Sequence, residues 1–131
     1  MSIGQTKELI RTAILARKNS YSPYSKFKVG AALLAGSGKI YSGTNIECSS
    51  FSLTICAERV AYAKAISEGE RDFTVIAIAT SKKDFIFPCG ACRQFMKDFS
   101  GDLKVILIKS PNEFKTFKLS ELLPKSFKLI L

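Results

Sequence analysis

Residues 74–80 read TVIAIAT, a run of β-branched residues and alanines with no charged position. Such a run is typical of a strand that is covered on both faces, as the strands of parallel sheets are. Residues 103–108, LKVILI, predict a second central strand of the same kind. Between the two, Pro88-Cys89-Gly90 predicts a turn into a helix over residues 91–99. A strand, a helix and a strand in this order predict an α/β fold.

The sequence before this unit predicts a hairpin and two helices. Residues 29–34 and 39–45 are two strand-like segments joined by Gly36-Ser37-Gly38, which is a hairpin signal. Residues 55–68, ICAERVAYAKAISE, predict a mostly buried helix that Gly69 ends. At the N-terminus, Ser2 and Gln5 resemble a capping box, and the residues that follow predict a helix with one buried stripe.

The C-terminal part completes the expected architecture. Residues 114–118 could add an edge strand, and residues 119–123 could form a short helical turn. The sum of these elements is an α/β fold, a three-layer α/β/α sandwich around a mixed five-stranded sheet. A length of 131 residues is close to the usual size of one domain, so we expect a single domain over residues 1–131.

Composition narrows the class of protein. Apolar residues make up 47% and charged residues 24% of the chain, as in ordinary globular domains. The chain has no run of about 18 apolar residues, and the N-terminal residues lack the apolar core of a signal peptide. We therefore expect a cytoplasmic protein that does not act on a membrane.

The chain contains no histidine. This absence removes every catalytic scheme that needs imidazole, including Ser-His-Asp triads and Cys-His dyads, and it excludes His-ligated metal sites. Any acid–base or metal chemistry must therefore use carboxylates and thiolates.

The formal net charge of +9 suggests at first a polyanionic partner. The charge is, however, spread evenly: residues 1–81 carry ten basic and six acidic side chains, and residues 82–131 carry ten and five. No block of like charges forms a basic tail. We expect a solvated exterior and no nucleic-acid partner, and a polyanion-binding surface remains the alternative.

Two cysteine segments carry the chemistry. Cys56-Ala57-Glu58 begins one predicted helix, and Pro88-Cys89-Gly90-Ala91-Cys92 begins another. Cys89 and Cys92 are three positions apart, so their sulfurs face the same side of the first helical turn. If Cys56 approaches them, three thiolates would bind zinc and leave one coordination position for water. The positive ends of the two helices would stabilise the thiolates.

Glu58 favours a catalytic zinc site. A carboxylate two residues from one ligand can take a proton from metal-activated water and pass it to a substrate nitrogen, as zinc deaminases with a P-C-x-x-C segment do. A structural zinc site has no use for this group. A closed four-cysteine site with Cys48 as fourth ligand, and a redox-active or inert Cys89–Cys92 pair, are the alternatives.

Nearly the whole chain resembles the small homotetrameric, zinc-dependent cytidine deaminases of pyrimidine salvage. The motifs that carry the resemblance stand in family order: YSPYSKF at 21–27, VGAAL at 29–33, GTNIE at 43–47, TICAER at 54–59, PCGACRQ at 88–94 and ELLP at 121–124. The resemblance implies a cytidine-deaminase-like fold and zinc bound by Cys56, Cys89 and Cys92.

The resemblance also implies roles for the residues around the zinc. Glu58 would shuttle protons, Asn45 and Glu47 would hold the ribose hydroxyls, and Phe27 would stack on the base. Ala57 would contact the substrate as well, and Arg59 would hydrogen-bond the thiolates and withdraw charge from sulfur. The simpler alternatives are that Asn45 caps a turn, that Phe27 only fills the core and that Arg59 is a surface residue.

Three positions concern the limits of the resemblance. Phe51 stands where many relatives have tyrosine, so a hydrogen bond from that hydroxyl is missing. Cys48 replaces what is often asparagine, and we interpret it as a small buried residue. Phe127 could act as the C-terminal aromatic residue that covers a neighbouring subunit's site.

The predicted function is hydrolytic deamination of cytidine and deoxycytidine to uridine and deoxyuridine, with release of ammonia. Zinc would activate the water that attacks C4 of the base, and Glu58 would move the protons. The alternatives are a polynucleotide deaminase, a deaminase of the blasticidin type and a non-enzymatic zinc module. The Asn45/Glu47 pair argues against a polynucleotide, because a tightly held 3′-hydroxyl leaves no room for a following nucleotide.

Overall fold

The sheet has five strands in the order β2-β1-β3-β4-β5, and the computed structural model describes residues 1–130 of the chain. The elements in chain order are α1 (Ile3–Ala16), β1 (Val29–Ala35), β2 (Ile40–Thr44), α2 (Ala57–Ser67), β3 (Phe73–Thr80), α3 (Gly90–Phe99), β4 (Lys104–Ser110), β5 (Glu113–Lys118) and α4 (Leu119–Leu122). Short 3₁₀ turns lie at Arg17–Asn19 and Phe51–Leu53.

The sheet is mixed, as the sequence predicts. β3 and β4 pair in parallel, with Ile76 opposite Val105, and α3 connects them. The other neighbouring pairs are antiparallel. Because β3 and β4 are central and have helices on both faces, nearly every residue of TVIAIAT and LKVILI is buried.

Two apolar clusters cover the two faces of the sheet, so the predicted three-layer sandwich is confirmed. On one face, Leu9, Ile10 and Ala13 of α1 pack against alternate residues of β1, β3 and β4. On the other face, α2, α3 and α4 pack against the remaining alternate residues, with Tyr62 and Met96 fully buried there. The functional side chains described below belong to this second face.

Helix α2 begins two residues later than the sequence predicts. Ile55 pairs with Ile46 in an isolated bridge, and Cys56 has extended backbone angles (φ −72°, ψ 152°) as the N-cap residue. The predicted capping box of α1 is confirmed, since Gln5 N donates to Ser2 Oγ and Ser2 N donates to Gln5 Oε1. None of the helices within residues 1–130 is long and apolar enough to cross a membrane.

Two glycines allow helices to lie directly on strand backbones. A Cβ atom on Gly43 of β2 would lie 2.2 Å from the Ala57 carbonyl oxygen, in the first turn of α2. A Cβ atom on Gly30 of β1 would lie 2.0 Å from the Ala13 carbonyl oxygen of α1. Since neither distance is compatible with a real side chain, these positions fix how closely each helix approaches the sheet.

Candidate metal centre

Three cysteine sulfurs meet between the starts of α2 and α3. Cys56 is the N-cap of α2, Cys89 is the N-cap of α3, and Cys92 lies in the first turn of α3. The three Sγ atoms lie within 4.8 Å of one another. The predicted convergence of these three positions is thus what the structure shows, whereas Cys48 lies outside this group among the described residues.

The donor set fits zinc. Four-coordinate zinc with Zn–S bonds of about 2.3 Å holds its sulfur ligands roughly 3.8 Å apart, and the three Sγ atoms here lie within 4.8 Å of one another. Thiolates select zinc over the hard cations that prefer oxygen ligands. Three sulfurs fill three of four tetrahedral positions, which is the ligand count of catalytic rather than closed structural zinc sites.

Local electrostatics favour thiolate at Cys56. Hydrogen bonding from Cys92, and then from the Arg59 guanidinium, lowers the pKa of Cys56 to about 5 although burial opposes the shift. Arg59 Nη2 donates to Cys56 Sγ at 3.3 Å and to the Thr54 carbonyl oxygen at 3.4 Å. Arg59 is therefore placed against a metal-ligand sulfur, as the resemblance implies, and is not a free surface residue.

Glu58 lies beside the sulfur cluster in a buried environment. Its side chain is only 4% exposed, because the first turn of α2 is packed on β2 at Gly43. Burial raises the pKa of the Glu58 carboxyl to about 7, and the neighbouring Cys56 thiolate acts in the same direction. A carboxyl group with this pKa can both accept and donate a proton near neutral pH.

A cavity of about 280 Å³ opens onto the cluster. Its size is near the lower end of small-molecule sites, roughly 300–1,000 Å³. Its wall includes residues from the loop before β1, the end of β2, the start of α2 and the loop before α3. These are Ser25, Phe27, Val29, Asn45, Glu47, Phe51, Thr54, Cys56, Ala57, Glu58, Ile78, Ile86, Phe87, Pro88 and Cys89.

Asn45 and Glu47 are two polar residues of the wall, and both are buried. Asn45 Nδ2 donates to the Phe27 carbonyl oxygen at 2.7 Å, and Asn45 Oδ1 accepts from Val29 N at 3.0 Å. Asn45 thus connects the end of β2 to the segment that leads into β1, and it also lines the cavity. Glu47 Oε1 accepts from Tyr24 N at 3.0 Å and from Ser25 N at 3.2 Å.

The aromatic residues named by the sequence separate into two groups. Phe27 and Phe51 line the cavity, and the Phe51 ring meets Tyr24 edge-on with centroids 6.4 Å apart. Phe127 is 69% exposed and is not part of the cavity wall; its carbonyl oxygen accepts from Gln94 Nε2 at 3.1 Å. Within residues 1–130, Phe127 therefore contributes nothing to the site of its own chain.

Sequence reasoning missed several residues of the wall. Thr54, Ile86 and Phe87 precede the two cysteine motifs, and that proximity was the available signal. Ser25 lies inside the motif of residues 21–27, but a serine in a turn has no pattern that assigns it to a site. A larger concavity of about 760 Å³ lies between α1 and the β4–β5 hairpin, and no cysteine or carboxylate lines it.

Comparison with known proteins connects this geometry to one family. The model of the cytidine and deoxycytidylate deaminase zinc-binding region matches residues 3–109. A probable cytidine deaminase of Dictyostelium discoideum is 48% identical over 130 residues, which cover 97% of this chain and 86% of that protein. A cytidine deaminase of Halalkalibacterium halodurans is 48% identical over 120 residues, 91% of each chain.

The fold agrees with a solved structure of the same kind. The crystal structure of a cytidine deaminase from Burkholderia pseudomallei superposes with a TM-score of 0.88 at 39% identity and covers 97% of this chain and 100% of that one. The family match, the full-length relatives and the three converging sulfurs lead to one conclusion. The chain is an enzyme of the cytidine and deoxycytidylate deaminase family, and its cofactor is zinc.

Proposed function

We propose that this enzyme hydrolyses cytidine and deoxycytidine to uridine and deoxyuridine and releases ammonia. The observation that carries the proposal is one cavity whose wall combines two kinds of chemistry. The buried Glu58 carboxyl, close enough to Cys56 and Cys92 to interact with both, lines it together with Cys56 and Cys89. The buried Asn45 and Glu47, here called the sugar end, present groups suited to a sugar hydroxyl. The two curated relatives described above are a probable cytidine deaminase and a cytidine deaminase.

The hydrogen-bonding capacity left over at Asn45 and Glu47 supports a hydroxyl ligand. An amide NH₂ has two donors, and Asn45 uses one of them on the Phe27 carbonyl. A carboxylate has about four acceptor positions, of which two backbone N–H groups and the Ser25 hydroxyl use three on Glu47. One donor and one acceptor remain, and a ribose hydroxyl can satisfy both.

Phe27 and Ala57 line the same cavity. The Phe27 ring offers a flat apolar surface against which a pyrimidine can stack, and stacking on an aromatic side chain contributes about 1–3 kcal/mol. Ala57 has a small side chain, so the first turn of α2 leaves room for the base beside it.

Glu58 moves the protons in the proposed mechanism. Zinc held by Cys56, Cys89 and Cys92 supplies Lewis-acid chemistry that makes water nucleophilic near neutral pH. A Glu58 carboxylate oxygen accepts a proton from the attacking water and delivers it to N3 of the base, and a second proton goes to the departing amine. The pKa of about 7 at Glu58 suits a group that must take up and release protons in one turnover.

Substitution of Glu58 tests the proposal. We expect Glu58→Gln to retain zinc, because glutamine has the same shape and Glu58 is not one of the three sulfur ligands, and to lose at least about 10³-fold in kcat. Glu68→Gln is the matched control, since Glu68 is an exposed carboxylate at the opposite end of α2. The measurements are zinc content and the decrease in cytidine ultraviolet absorbance. A zinc-loaded Glu58→Gln enzyme with near-normal turnover would reject the mechanism.

The same assay separates the substrate classes. Free cytidine and deoxycytidine should be deaminated, whereas cytosine within a single-stranded oligonucleotide should not, because the sugar hydroxyl occupies the end of the cavity. Turnover of the oligonucleotide would instead favour a polynucleotide deaminase. Turnover of blasticidin in preference to cytidine would favour a deaminase of that type.

We also propose that the enzyme is a homotetramer in which the rim of the cavity is an intersubunit contact. Bridges between Tyr21 and Ile46 and between Ile46 and Ile55 bring exposed apolar side chains together, and the Phe51–Leu53 turn adds two more. Each is at least 42% exposed, and contiguous apolar surface of this kind is typical of protein interfaces. Phe51, and Phe127 from a neighbouring copy, would then close the cavity.

Sedimentation velocity tests the assembly. We expect the wild-type mass to be that of four chains, and we expect Leu53→Glu to shift it to smaller species, because a buried unpaired charge destabilises an interface. Leu15→Glu is the control, since Leu15 is similarly exposed but lies on α1. An active enzyme with the mass of one chain would contradict this proposal.

The cellular setting follows as a further part of the proposal. None of the four cysteines, all of which lie within the described residues, forms a disulfide, and this fits a reducing compartment such as the cytoplasm. A deaminase of free nucleosides there would serve pyrimidine salvage, and residues 1–131 would act as one catalytic domain.

A further inference from the structure

The Ser25 side chain lies at the junction between the sugar end and the base-contacting wall of the cavity. The Ser25 hydroxyl donates a hydrogen bond to Glu47 Oε2. Its oxygen, Ser25 Oγ, also accepts a hydrogen bond from Phe27 N at 3.0 Å. One hydroxyl group therefore contacts two groups of the cavity wall. The first is the Glu47 carboxylate, which would bind the sugar, and the second is the backbone of Phe27, whose ring would contact the base.

The backbone at this point adopts a conformation that needs support. Lys26, between Ser25 and Phe27, has φ = 60°, in the left-handed region that a residue with a side chain rarely adopts. Residues held in such regions persist where surrounding contacts over-determine them. Here Lys26 N donates to the Ser22 carbonyl oxygen at 3.0 Å, and the hydrogen bond from Phe27 N to Ser25 Oγ spans the left-handed residue.

The Phe27 backbone is held on both sides by residues of the sugar end. Its carbonyl oxygen accepts from Asn45 Nδ2 at 2.7 Å, and its N–H reaches Glu47 through the Ser25 hydroxyl. Burial alone would raise the pKa of Glu47, but hydrogen bonds from Ser25 and Tyr24 outweigh burial and lower it. The carboxylate is therefore charged when it accepts these hydrogen bonds, and charge-assisted hydrogen bonds are stronger than neutral ones.

We propose that Ser25 is a positioning residue that couples the Glu47 carboxylate to Phe27, so that binding of the sugar hydroxyl orders the wall against which the base packs. This inference rests on the proposed function for the identity of the two ligand parts. Ser25 acts through Glu47 and Phe27 and takes no part in proton transfer. Its loss should therefore affect substrate binding more than the chemical step.

The test compares Ser25→Ala with the wild-type enzyme on cytidine and on 2′,3′-dideoxycytidine. We expect a rise of about tenfold in KM for cytidine, the equivalent of one charge-assisted hydrogen bond, with kcat within about twofold. The rise should be clearly smaller for the dideoxynucleoside, which lacks the hydroxyl that Glu47 would bind. Ser25→Thr keeps the hydroxyl and should restore KM.

Ser67→Ala serves as the matched control. Its hydroxyl, like that of Ser25, donates one hydrogen bond, here to the Lys64 carbonyl oxygen at 2.9 Å, but it lies at the far end of α2. A merely structural role of Ser25 would lower the melting temperature and raise KM equally for both nucleosides. Equal effects on the two substrates, or an unchanged KM for cytidine, would overturn the proposal.

Amide hydrogen exchange gives a readout that does not depend on turnover. In Ser25→Ala, exchange at the amides of Tyr24 and Phe27 should accelerate by at least about tenfold, while exchange in β3 stays unchanged. Unchanged protection at both amides would overturn the coupling even if the wild-type protein proved inactive on cytidine. A wild-type protein without turnover but with accelerated exchange in the variant would reject the proposed function and leave the coupling standing.

Discussion

The two faces of the sheet have cores of similar apolar character, but only one face carries chemistry. On the α1 face, leucine, isoleucine and alanine side chains pack against valine, isoleucine and alanine of the strands. On the α2/α3 face, an equally apolar core ends at Cys92, beside Glu58 and Arg59. The difference arises at the N-termini of the helices rather than within the core.

The N-cap positions of α1 and α2 are used differently, whereas the N-cap of α3, Cys89, both accepts a hydrogen bond from Cys92 N and belongs to the cluster. At the start of α1, Ser2 and Gln5 satisfy the free backbone N–H groups, which stabilises the helix. At the start of α2, Cys56 makes no capping hydrogen bond through its side chain, and its sulfur is directed to the cluster instead. A position that stabilises one helix thus provides a metal ligand in another, and substitutions on the two faces should separate these uses.

Alanine at the two close-approach glycines should give the largest effects. Gly43→Ala and Gly30→Ala each place a methyl group about 2 Å from a helix carbonyl oxygen, so we expect each to lower the free energy of unfolding by about 3 kcal/mol or more. Only Gly43→Ala displaces the first turn of α2, which carries Cys56 and Glu58. Zinc affinity of the folded protein should therefore fall in Gly43→Ala and stay unchanged in Gly30→Ala.

Urea denaturation and competition with a zinc chelator measure the two quantities separately. Equal loss of zinc affinity in both variants would mean that the two faces are coupled through the sheet. A Gly43→Ala protein with wild-type zinc affinity would show that α2 accommodates the methyl group without moving its ligand.

Leu9→Ala should lower stability without affecting the metal centre. Leu9 of α1 is fully buried against the sheet, and a leucine-to-alanine change in a packed core lowers the free energy of unfolding by about 2–5 kcal/mol. We expect zinc stoichiometry and KM to remain at wild-type values below the melting transition. Metal analysis and steady-state kinetics well below that transition check this, with the exposed Leu15→Ala as the control on the same helix. A change in KM would show that the α1 face contributes to the site.

Arg59→Met should have a smaller effect on folding and a specific effect on the metal. It removes the hydrogen bond to Cys56 Sγ but keeps much of the side-chain volume, and loss of such an outer contact to a metal ligand typically reduces metal affinity or activity by about 10–100-fold. Arg59→Lys retains the charge without the planar group and should be intermediate. Chelator competition measures the affinity, and equal values for Arg59→Met and wild type would contradict the assigned contact.

The sequence predicts the layers and the sulfur cluster for identifiable reasons. Continuous apolar runs such as TVIAIAT follow from burial on both faces, and spacing within one helical turn places Cys89 and Cys92 together. The approach of Cys56 was an inference from the chemistry of three thiols, and the structure confirms it. The resemblance, not periodicity, identified Asn45, Glu47 and Phe27.

Long-range contacts of small or polar residues could not be predicted in this way. The role of Gly43 depends on the distance between β2 and α2, which leaves no signal in a single sequence. The hydrogen bonds of Ser25 depend on the left-handed Lys26, a conformation that propensity disfavours. Likewise, the depth at which Glu58 is buried, which raises its pKa, follows from packing across α2 rather than from the spacing of CAER.

The smallest change in stability should come from the pH-dependent hydrogen bonds of Glu70, which lies far from the metal centre. This prediction compares the two ends of α2 within the α2/α3 face. Beyond the C-terminal end of α2, Glu70 accepts hydrogen bonds from the hydroxyls of Ser37 and Tyr41, and these lower the pKa of Glu70. Because the folded-state pKa lies below the ordinary value of 4.5, Glu70 stabilises the fold fully above that pH, and the contribution is lost as the pH falls through the folded-state pKa.

Glu70→Gln should be less stable than wild type at neutral pH, and the difference should shrink as the pH falls below the ordinary carboxyl range. Urea denaturation of both proteins over this pH range measures the difference. Since the other carboxylates titrate equally in the two proteins, a difference that stays constant with pH would mean that the charge of Glu70 contributes nothing. Zinc content should not change in either case, because polar contacts at this end of α2 support the fold while those at its start serve the site.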